Sequence, residues 1–156
     1  MKYTTLATKE IIEKTTKGLA DRNVEAIYVE TKAEALEKLK ELIPAGASIM
    51  NGASVTLEQI GFVDYLKSGE HKWNNLHEVI LAEKDPAKQA ELRRTALLSD
   101  FYLGSVHALA ETGEFIVASN TGSQLPHLVF TSPNLILVVS TKKISPTLKE
   151  ATERLY

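Results

Sequence analysis

The clearest candidate for chemistry is Glu111, the first residue of a turn that spans residues 111–114. Residues 106–110 and 115–118 predict two strands joined by this turn, in which Gly113 can adopt positive φ. A carboxylate where a strand ends can lie at the ligand-binding edge of an α/β sheet and act as a nucleophile or a general base. The alternative is a carboxylate that only accepts hydrogen bonds from backbone N–H groups of the turn.

His107 is the second candidate for catalysis. It has the same strand parity as Glu111, so the two side chains can face one pocket as an acid–base pair. A histidine that is hydrogen-bonded within the core is the commoner explanation. The four histidines of the chain lack the spacing of metal ligands, and there is no cysteine, so the sequence predicts no metal site.

A small polar loop at residues 51–61 is the main candidate for ligand binding. It follows a predicted strand at 47–50 and runs into a short helix, where unpaired N–H groups favour a phosphate or a carboxylate. The alternative is that Ser54 or Thr56 only caps the helix, with Glu58 or Gln59 completing a capping box. The loop lacks the lysine of a P-loop, so nucleoside triphosphate binding is not predicted.

A second polar loop, residues 120–123, can close over the same pocket, although its composition also fits a plain turn. We expect the loops 51–56, 111–113 and 120–123 to meet at the carboxyl edge of one sheet. The predicted ligand-binding residues are Asn51, Gly52, Ser54, Thr56, Thr112, Gly113, Asn120, Thr121 and Gly122.

The rest of the chain alternates between helical and strand patterns. This alternation predicts an α/β fold in which helices cover a mainly parallel sheet. Helices are predicted at residues 4–23, from Thr31 to Pro44, from Asp85-Pro86 onward with Ala90, Leu97 and Leu98 buried, and after Ser145-Pro146; further strands are predicted at 24–29 and, fully buried, at 135–139. Only a short helix and a connector are expected in 62–84.

Composition narrows the classes of function. A chain of 156 residues with 44% hydrophobic and 24% charged residues predicts a single folded domain over 1–156. The net charge of -2 offers no field for nucleic-acid binding, and the absence of cysteine excludes disulfides, thiolate nucleophiles and a thiolate-bound iron–sulfur cluster in this chain. No signal peptide or apolar membrane span is recognisable, so we expect a cytoplasmic protein without membrane contact.

Several segments together resemble the lactate-utilisation (LUD) domain family. They are the loop 54–61, the run 99–105, the element Ala108-Leu109-Ala110-Glu111-Thr112-Gly113, the run 124–128, and Lys143-Ile144 before the last helix. The element ending in Glu111-Thr112-Gly113 is the most specific of these. The resemblance covers the chain from about residue 50 to its end, and the preceding helices are compatible with it.

The resemblance implies the fold of sugar-phosphate isomerases, glucosamine-phosphate deaminases and coenzyme A transferases: a Rossmann-like sheet with an antiparallel hairpin portion. It implies an accessory protein of lactate or related organic-acid utilisation that binds an anionic organic acid or an acyl or phosphate ligand, coenzyme A included. Its expected partners are iron–sulfur subunits or a second copy in a homo-oligomer. Two alternatives stay open: a stand-alone acyl or coenzyme A transferase or isomerase that uses Glu111, and a ligand-sensing regulatory module.

The sequence departs from the family pattern in two places. Family members usually continue beyond the point where this chain stops and add a last strand, so we expect either a natural short form or a shortened version of a longer chain. Such a chain would have an open sheet edge that can receive a partner strand. His107 stands where one branch of the family more often carries Asn, which leaves the subfamily undetermined.

Overall fold

The computed structural model describes residues 4–156, which form two compact units, each assembled from separate stretches of the chain. Unit 1 contains the described residues up to Glu30, together with Ser105–Ala118 and Val138–Tyr156. Unit 2 contains Thr31–Gly104 and Ser119–Leu137. Whether the chain behaves as one domain over 1–156 is a matter of folding cooperativity, and the single domain stays a prediction.

The described residues contain seven α-helices and seven short strands. In chain order the helices are α1 (Lys9–Ala20), α2 (Lys32–Leu42), α3 (Val55–Gln59), α4 (Phe62–Ser68), α5 (Leu76–Ala82), α6 (Pro86–Thr95) and α7 (Leu148–Glu153). The strands are β1 (Ser48–Asn51), β2 (Asn74–Asn75), β3 (Phe101–Gly104), β4 (Ala108–Ala110), β5 (Phe115–Ile116), β6 (Asn134–Leu137) and β7 (Ile144–Ser145). Tighter or wider helical turns occupy Ala96–Leu98, His127–Thr131 and Thr141–Lys143.

Unit 2 contains a four-stranded parallel sheet in the order β2-β1-β3-β6. Met50 lies opposite Tyr102, and Tyr102 lies opposite Leu135 on the other side. At the amino end of β3, the carboxylate of Asp100 accepts hydrogen bonds from the backbone N–H and the hydroxyl of Ser48, at 2.8 and 2.7 Å. The predicted parallel α/β sheet with flanking helices is therefore confirmed.

Residues 62–84 contribute more structure than the sequence predicts. They form α4, β2 and α5, and the Trp73 ring packs 6.1 Å from that of Phe62 while its Nε1 donates to the Ile43 carbonyl at 3.1 Å. Gly69, at φ +70°, ends α4 and interrupts the apolar pattern. Because of this interruption, the sequence pattern does not reveal two short helices. The buried residues of the segment are Phe62, Leu66, Trp73 and Ile80.

Unit 1 contains a three-stranded sheet in the order β5-β4-β7. Strands β4 and β5 form the predicted antiparallel hairpin, and β7 pairs with β4 in parallel. Helix α7 packs on β4, where Ala108, Ala110 and Ala151 form a fully buried cluster. Three alanines permit the close approach of a helix to a strand. The predicted antiparallel portion is confirmed as a separate small sheet.

The strand predicted at residues 24–29 is wrong. These residues follow Asn23, which has φ +59°, and they run as irregular chain in which Val24, Ile27 and Tyr28 are exposed. An apolar run of this length does not by itself distinguish a buried strand from irregular chain.

The full burial predicted for the strand at 135–139 is also wrong, although a strand forms there. Its counterpart, β6, spans residues 134–137 and lies at the edge of the sheet of unit 2, with Leu135 exposed. An apolar run alone does not distinguish a central strand from an edge strand.

Two predicted helices form with different details. Helix α6 begins after Asp85 as predicted but has no buried residue, and Leu98 beyond it is exposed rather than buried. The last helix begins at the N-cap Thr147 rather than at Ser145-Pro146. Within residues 4–156, no helix combines the length and apolar character that crossing a bilayer requires.

Candidate functional site

The loop that follows β1 has a local structure dictated by capping. The Ser54 hydroxyl accepts a hydrogen bond from the Leu57 N–H at 3.3 Å, and helix α3 runs from there to Gln59. Gly61, at φ +82°, then starts α4. The capping alternative for Ser54 is thus present in the structure, and Thr56 is buried in the first turn of α3. A ligand contact of either side chain stays a prediction.

Asn51 and Gly52, at the carboxyl end of β1, form the start of the candidate site. Asn51 is only 5% exposed; its amide Nδ2 donates to the Gly52 carbonyl, whereas its Oδ1 has no hydrogen-bond partner among residues 4–156. Gly52 donates to the Leu103 carbonyl at 3.1 Å, which continues the pairing of β1 with β3. A buried acceptor without a donor costs about 1–3 kcal/mol, so it marks a place where a donor from outside the chain would be stabilising.

Tyr102, on β3, adds a second unpartnered polar atom. It is 2% exposed, and its hydroxyl has no partner in the described part of the chain. A Cβ placed on Gly52 would clash with this hydroxyl and would lie 3.5 Å from the Gln124 side chain. Asn51, Gly52, Tyr102 and Gln124 therefore lie in one neighbourhood, in which the Tyr102 hydroxyl occupies the space beside Gly52 where a Cβ would otherwise lie.

His127 supports Tyr102 from one side. The two rings stack with their centroids 4.2 Å apart and their planes at 16°. Nδ1 of His127 is hydrogen-bonded to the Ser132 hydroxyl at 2.7 Å. Burial raises the pKa of Tyr102 to about 12 and lowers the pKa of His127, so both rings are neutral at pH 7. The cluster thus offers neutral hydrogen-bonding groups.

The polar loop 120–123 leads directly into this cluster. Gly122 has φ +75° and donates to the Ser119 hydroxyl at 3.0 Å, while the hydroxyls of Thr121 and Ser123 are hydrogen-bonded at 2.9 Å. These bonds form a turn, and Asn120 is exposed. Within unit 2, the segment after this turn brings Gln124 against Gly52, so two of the three predicted loops belong to one neighbourhood.

Sequence reasoning missed Tyr102, Gln124 and His127 as site residues. The sequence predicts no strand at residues 101–104, so the signal for Tyr102, a hydroxyl that must find a partner inside a central strand, becomes readable only once β3 is known. No such signal exists for His127 or Gln124. Their part in the cluster depends on the turn at 119–123 and on the helical turn His127–Thr131, which the sequence does not reveal.

Glu111 lies in unit 1, where its side chain is buried and paired with Lys14 of α1 at 2.7 Å. Lys14 and Glu111 line a surface depression of about 520 Å³ together with Lys17, Arg22 and Thr112. Arg22 also donates to the Thr112 carbonyl at 2.9 Å and pairs with Glu114. Asp21 also lines the depression, so three cationic side chains face two carboxylates there.

The turn after Glu111 is held against α1 by two glycines. Gly113 has φ +92°, and a Cβ there would meet the backbone of Gly18. A Cβ on Gly18 would lie 2.7 Å from the Glu111 carbonyl oxygen. Neither position has room for a side chain, so both glycines are required for the backbone of α1 to touch the turn.

His107 is exposed and has its own partners. Its Nδ1 accepts from the Ala118 N–H at 3.2 Å, and its carbonyl accepts from Arg154 at 3.0 Å. Glu111 engages Lys14 instead. The acid–base pairing of His107 with Glu111 stays a prediction. Among residues 4–156, no group of three or more His, Asp or Glu side chains is arranged to hold a metal ion.

Comparison with known protein families matches the LUD domain model to residues 12–156. The chain belongs to the LUD domain family. The match spans essentially the whole sequence, so the predicted resemblance is confirmed, and the chain is related to proteins of lactate utilisation. Comparison with curated proteins and with solved structures found no match.

Proposed function

We propose that this LUD-family chain binds a small organic acid in the cluster formed by Asn51, Gly52, Tyr102 and Gln124, as an accessory protein of lactate or related organic-acid utilisation. The observation that carries the proposal is the pair of buried, unpartnered atoms, Asn51 Oδ1 and Tyr102 Oη. Ligand sites in open α/β sheets commonly lie beyond the carboxyl ends of the strands, where β1 delivers Asn51.

The chemistry of the two atoms selects a ligand class. Asn51 Oδ1 is an acceptor and requires a donor, whereas the Tyr102 O–H is a donor and requires an acceptor. A 2-hydroxy acid such as lactate supplies both, with its hydroxyl as donor and its carboxylate as acceptor. Gln124 can provide a further amide donor, because its side chain lies beside Gly52.

The neutral character of the cluster supports binding rather than turnover. With the pKa of Tyr102 raised to about 12 by burial, its proton stays in place at pH 7 and remains available to a carboxylate oxygen. With the pKa of His127 lowered by burial, the stacked ring is an uncharged support. The chain has no cysteine to hold an iron–sulfur cluster, so in this proposal the electrons from any oxidation of a bound acid pass to a partner, an iron–sulfur subunit.

Calorimetry with L-lactate, D-lactate, pyruvate and propionate tests the proposal. Lactate should bind more tightly than pyruvate or propionate, because both of these lack the hydroxyl donor that Asn51 accepts. Asn51→Leu and Gly52→Ala should each weaken lactate binding at least tenfold. Ser68→Ala, which removes an exposed hydroxyl at the end of α4 in the same unit, is the control and should leave the affinity within about twofold.

The outcome that would end this proposal is equal binding of all four acids, or lactate binding that Asn51→Leu leaves unchanged. Each variant must keep the circular dichroism spectrum and unfolding midpoint of a folded protein. Gly52→Ala would force the Tyr102 hydroxyl to move, so a loss of binding in this folded variant would tie the ligand to Tyr102 even if Asn51→Leu proved unstable.

A second function is favoured by the depression around Glu111. A buried carboxylate at a wall with Lys14, Lys17 and Arg22 suits an acyl or phosphate-containing ligand such as coenzyme A, and it would make the chain a transferase. Incubation with acyl-coenzyme A should then leave a hydroxylamine-sensitive adduct that Glu111→Gln abolishes. Ligand binding with neither adduct nor turnover would favour the accessory or the sensing module instead.

A further inference from the structure

One face of unit 2 exposes apolar side chains that the sequence pattern would place inside. Phe130 is 89% exposed, Val129 81% and Leu98 75%. The helical turn that carries Leu98 packs against the turn that carries Val129 and Phe130, and we refer to these three exposed side chains as the apolar patch. Contiguous exposed apolar side chains of this size mark interaction surfaces, because water contact with them is unfavourable.

An open strand edge lies next to the apolar patch in the chain. Strand β6 begins four residues after Phe130, pairs with β3 on one side, and has no strand on its other side among residues 4–156. Edge strands usually avoid pairing by carrying charged side chains or proline. The residues of β6, Asn134-Leu135-Ile136-Leu137, include neither.

We propose that the apolar patch and the free edge of β6 bind a second copy of this chain in a two-fold symmetric dimer. A two-fold axis pairs two β6 strands in antiparallel fashion, with Leu135 opposite the partner's Ile136, and joins two four-stranded sheets into one. Both copies thereby satisfy the same backbone groups and cover the same apolar side chains.

The charge distribution favours a second copy as the occupant. From Phe115 to Thr141 the sequence contains no Asp, Glu, Lys or Arg, although 24% of the chain is charged. A two-fold axis brings the same segment of both copies together, so a charged segment would place like charges side by side. The uncharged segment 115–141 avoids this repulsion. A partner of different sequence would gain no electrostatic specificity from it.

The available area also suits a dimer. A standard interface buries about 800 Å² on each partner, and one aromatic side chain contributes on the order of 200 Å². Phe130 is almost wholly available, and Val129, Leu98 and Leu135 with the backbone of β6 add to it. This inference is independent of the ligand cluster, because it uses other side chains.

Sedimentation equilibrium of the whole chain over a hundredfold range of concentration tests the dimer. The wild type should show twice the 17.2 kDa mass at the upper concentrations. Phe130→Asp and Leu135→Lys should each weaken dimerisation at least a hundredfold, by placing like charges across the axis. Leu81→Asp is the matched control, because Leu81 is 64% exposed on α5 of the same unit, and it should leave the mass unchanged.

A monomer at every concentration would overturn the proposal, and so would a dimer that Phe130→Asp, Val129→Asp and Leu135→Lys all leave intact. Hydrogen exchange provides an independent readout that does not depend on the variants. The amides of residues 134–137 should become more protected as the wild-type concentration rises, and equal protection at all concentrations would contradict pairing through β6.

Discussion

The ring of Tyr102 stacks on the imidazole of His127 at a centroid separation of 4.2 Å, while the Tyr102 hydroxyl itself has no hydrogen-bond partner in the described chain. Packing therefore fixes the position of a donor that the protein does not use internally. Stacking of this kind contributes about 0.5–1.5 kcal/mol, similar to the cost of an unsatisfied hydroxyl. The stack can therefore offset the cost of leaving the hydroxyl without a partner.

Removal of the Tyr102 hydroxyl tests this relationship. Tyr102→Phe should leave the free energy of unfolding unchanged or raise it by about 1 kcal/mol, because the stack is retained and an unpartnered polar group is lost. The same variant should weaken lactate binding. Urea unfolding of Tyr102→Phe beside the exposed control Tyr28→Phe measures the first effect, and a loss of more than about 1 kcal/mol would mean that the hydroxyl has a stabilising partner.

Acid should destabilise the protein through its buried histidines. Burial lowers the pKa of His127 and of His77, the latter with a contribution from Arg93, so between the folded pKa and about 6.5 the unfolded chain binds protons that the folded protein does not. Stability should fall as the pH drops below 6.5, by at most about 1.4 kcal/mol per pH unit for each histidine. Unfolding at pH 7.5 and 5.5 should show a smaller difference in His127→Gln than in the wild type, and an equal difference would refute the assignment to His127.

The glycines of the Glu111 turn allow a matched comparison. Gly113→Ala introduces a Cβ at positive φ and against the Gly18 backbone, whereas Gly122→Ala introduces one at positive φ with nothing within 4 Å. We expect a loss of about 1–2 kcal/mol for Gly122→Ala and clearly more for Gly113→Ala. Thermal unfolding of both variants measures the difference, and equal losses would show that α1 does not touch the turn.

The Lys14–Glu111 ion pair should show energetic coupling. Glu111 is buried and Lys14 is largely exposed, so Lys14→Met leaves a buried carboxylate without its cation and should cost more than a surface pair does, about 1–2 kcal/mol. A double-mutant cycle with Glu111→Gln should give a coupling of about 1 kcal/mol. The separate control Lys9→Met, in an exposed pair with Glu13, should cost almost nothing, and zero coupling in the cycle would contradict the pairing.

The parallel sheet and the hairpin could be predicted from the sequence because each depends on local signals. Strand-loop-helix order identified β1 and α3, and a glycine turn between two short apolar runs identified β4 and β5. The position of β6 at the edge of its sheet could not be predicted in this way, because an apolar run such as 135–139 is equally compatible with an edge strand and a central strand. The predicted burial of Leu98 was also wrong, because an apolar pattern does not show whether a helix is covered, and α6 has no buried residue.

The candidate site was predicted in part. The loop after β1 follows from the rule for α/β sheets, and Asn51 and Gly52 belong to it. Tyr102 and His127 were not recognised, because their stacking joins β3 to a helical turn 25 positions later in the chain, and single-sequence patterns contain no information about such contacts. Glu111 was recognised as a candidate for catalysis, but neither its burial nor its ion pair with α1 was predicted.

The discontinuous make-up of unit 1 has a consequence for biosynthesis. Its sheet needs β7, and its buried alanine cluster needs Ala151 of α7, so the ribosome must synthesise the chain through residue 151 before this unit can acquire its native packing. Strands β1, β2 and β3 of unit 2 are all synthesised by residue 104 and can associate earlier. Nascent chains stalled shortly after Leu137 should accordingly resist proteases within unit 2 while α1 remains susceptible to cleavage.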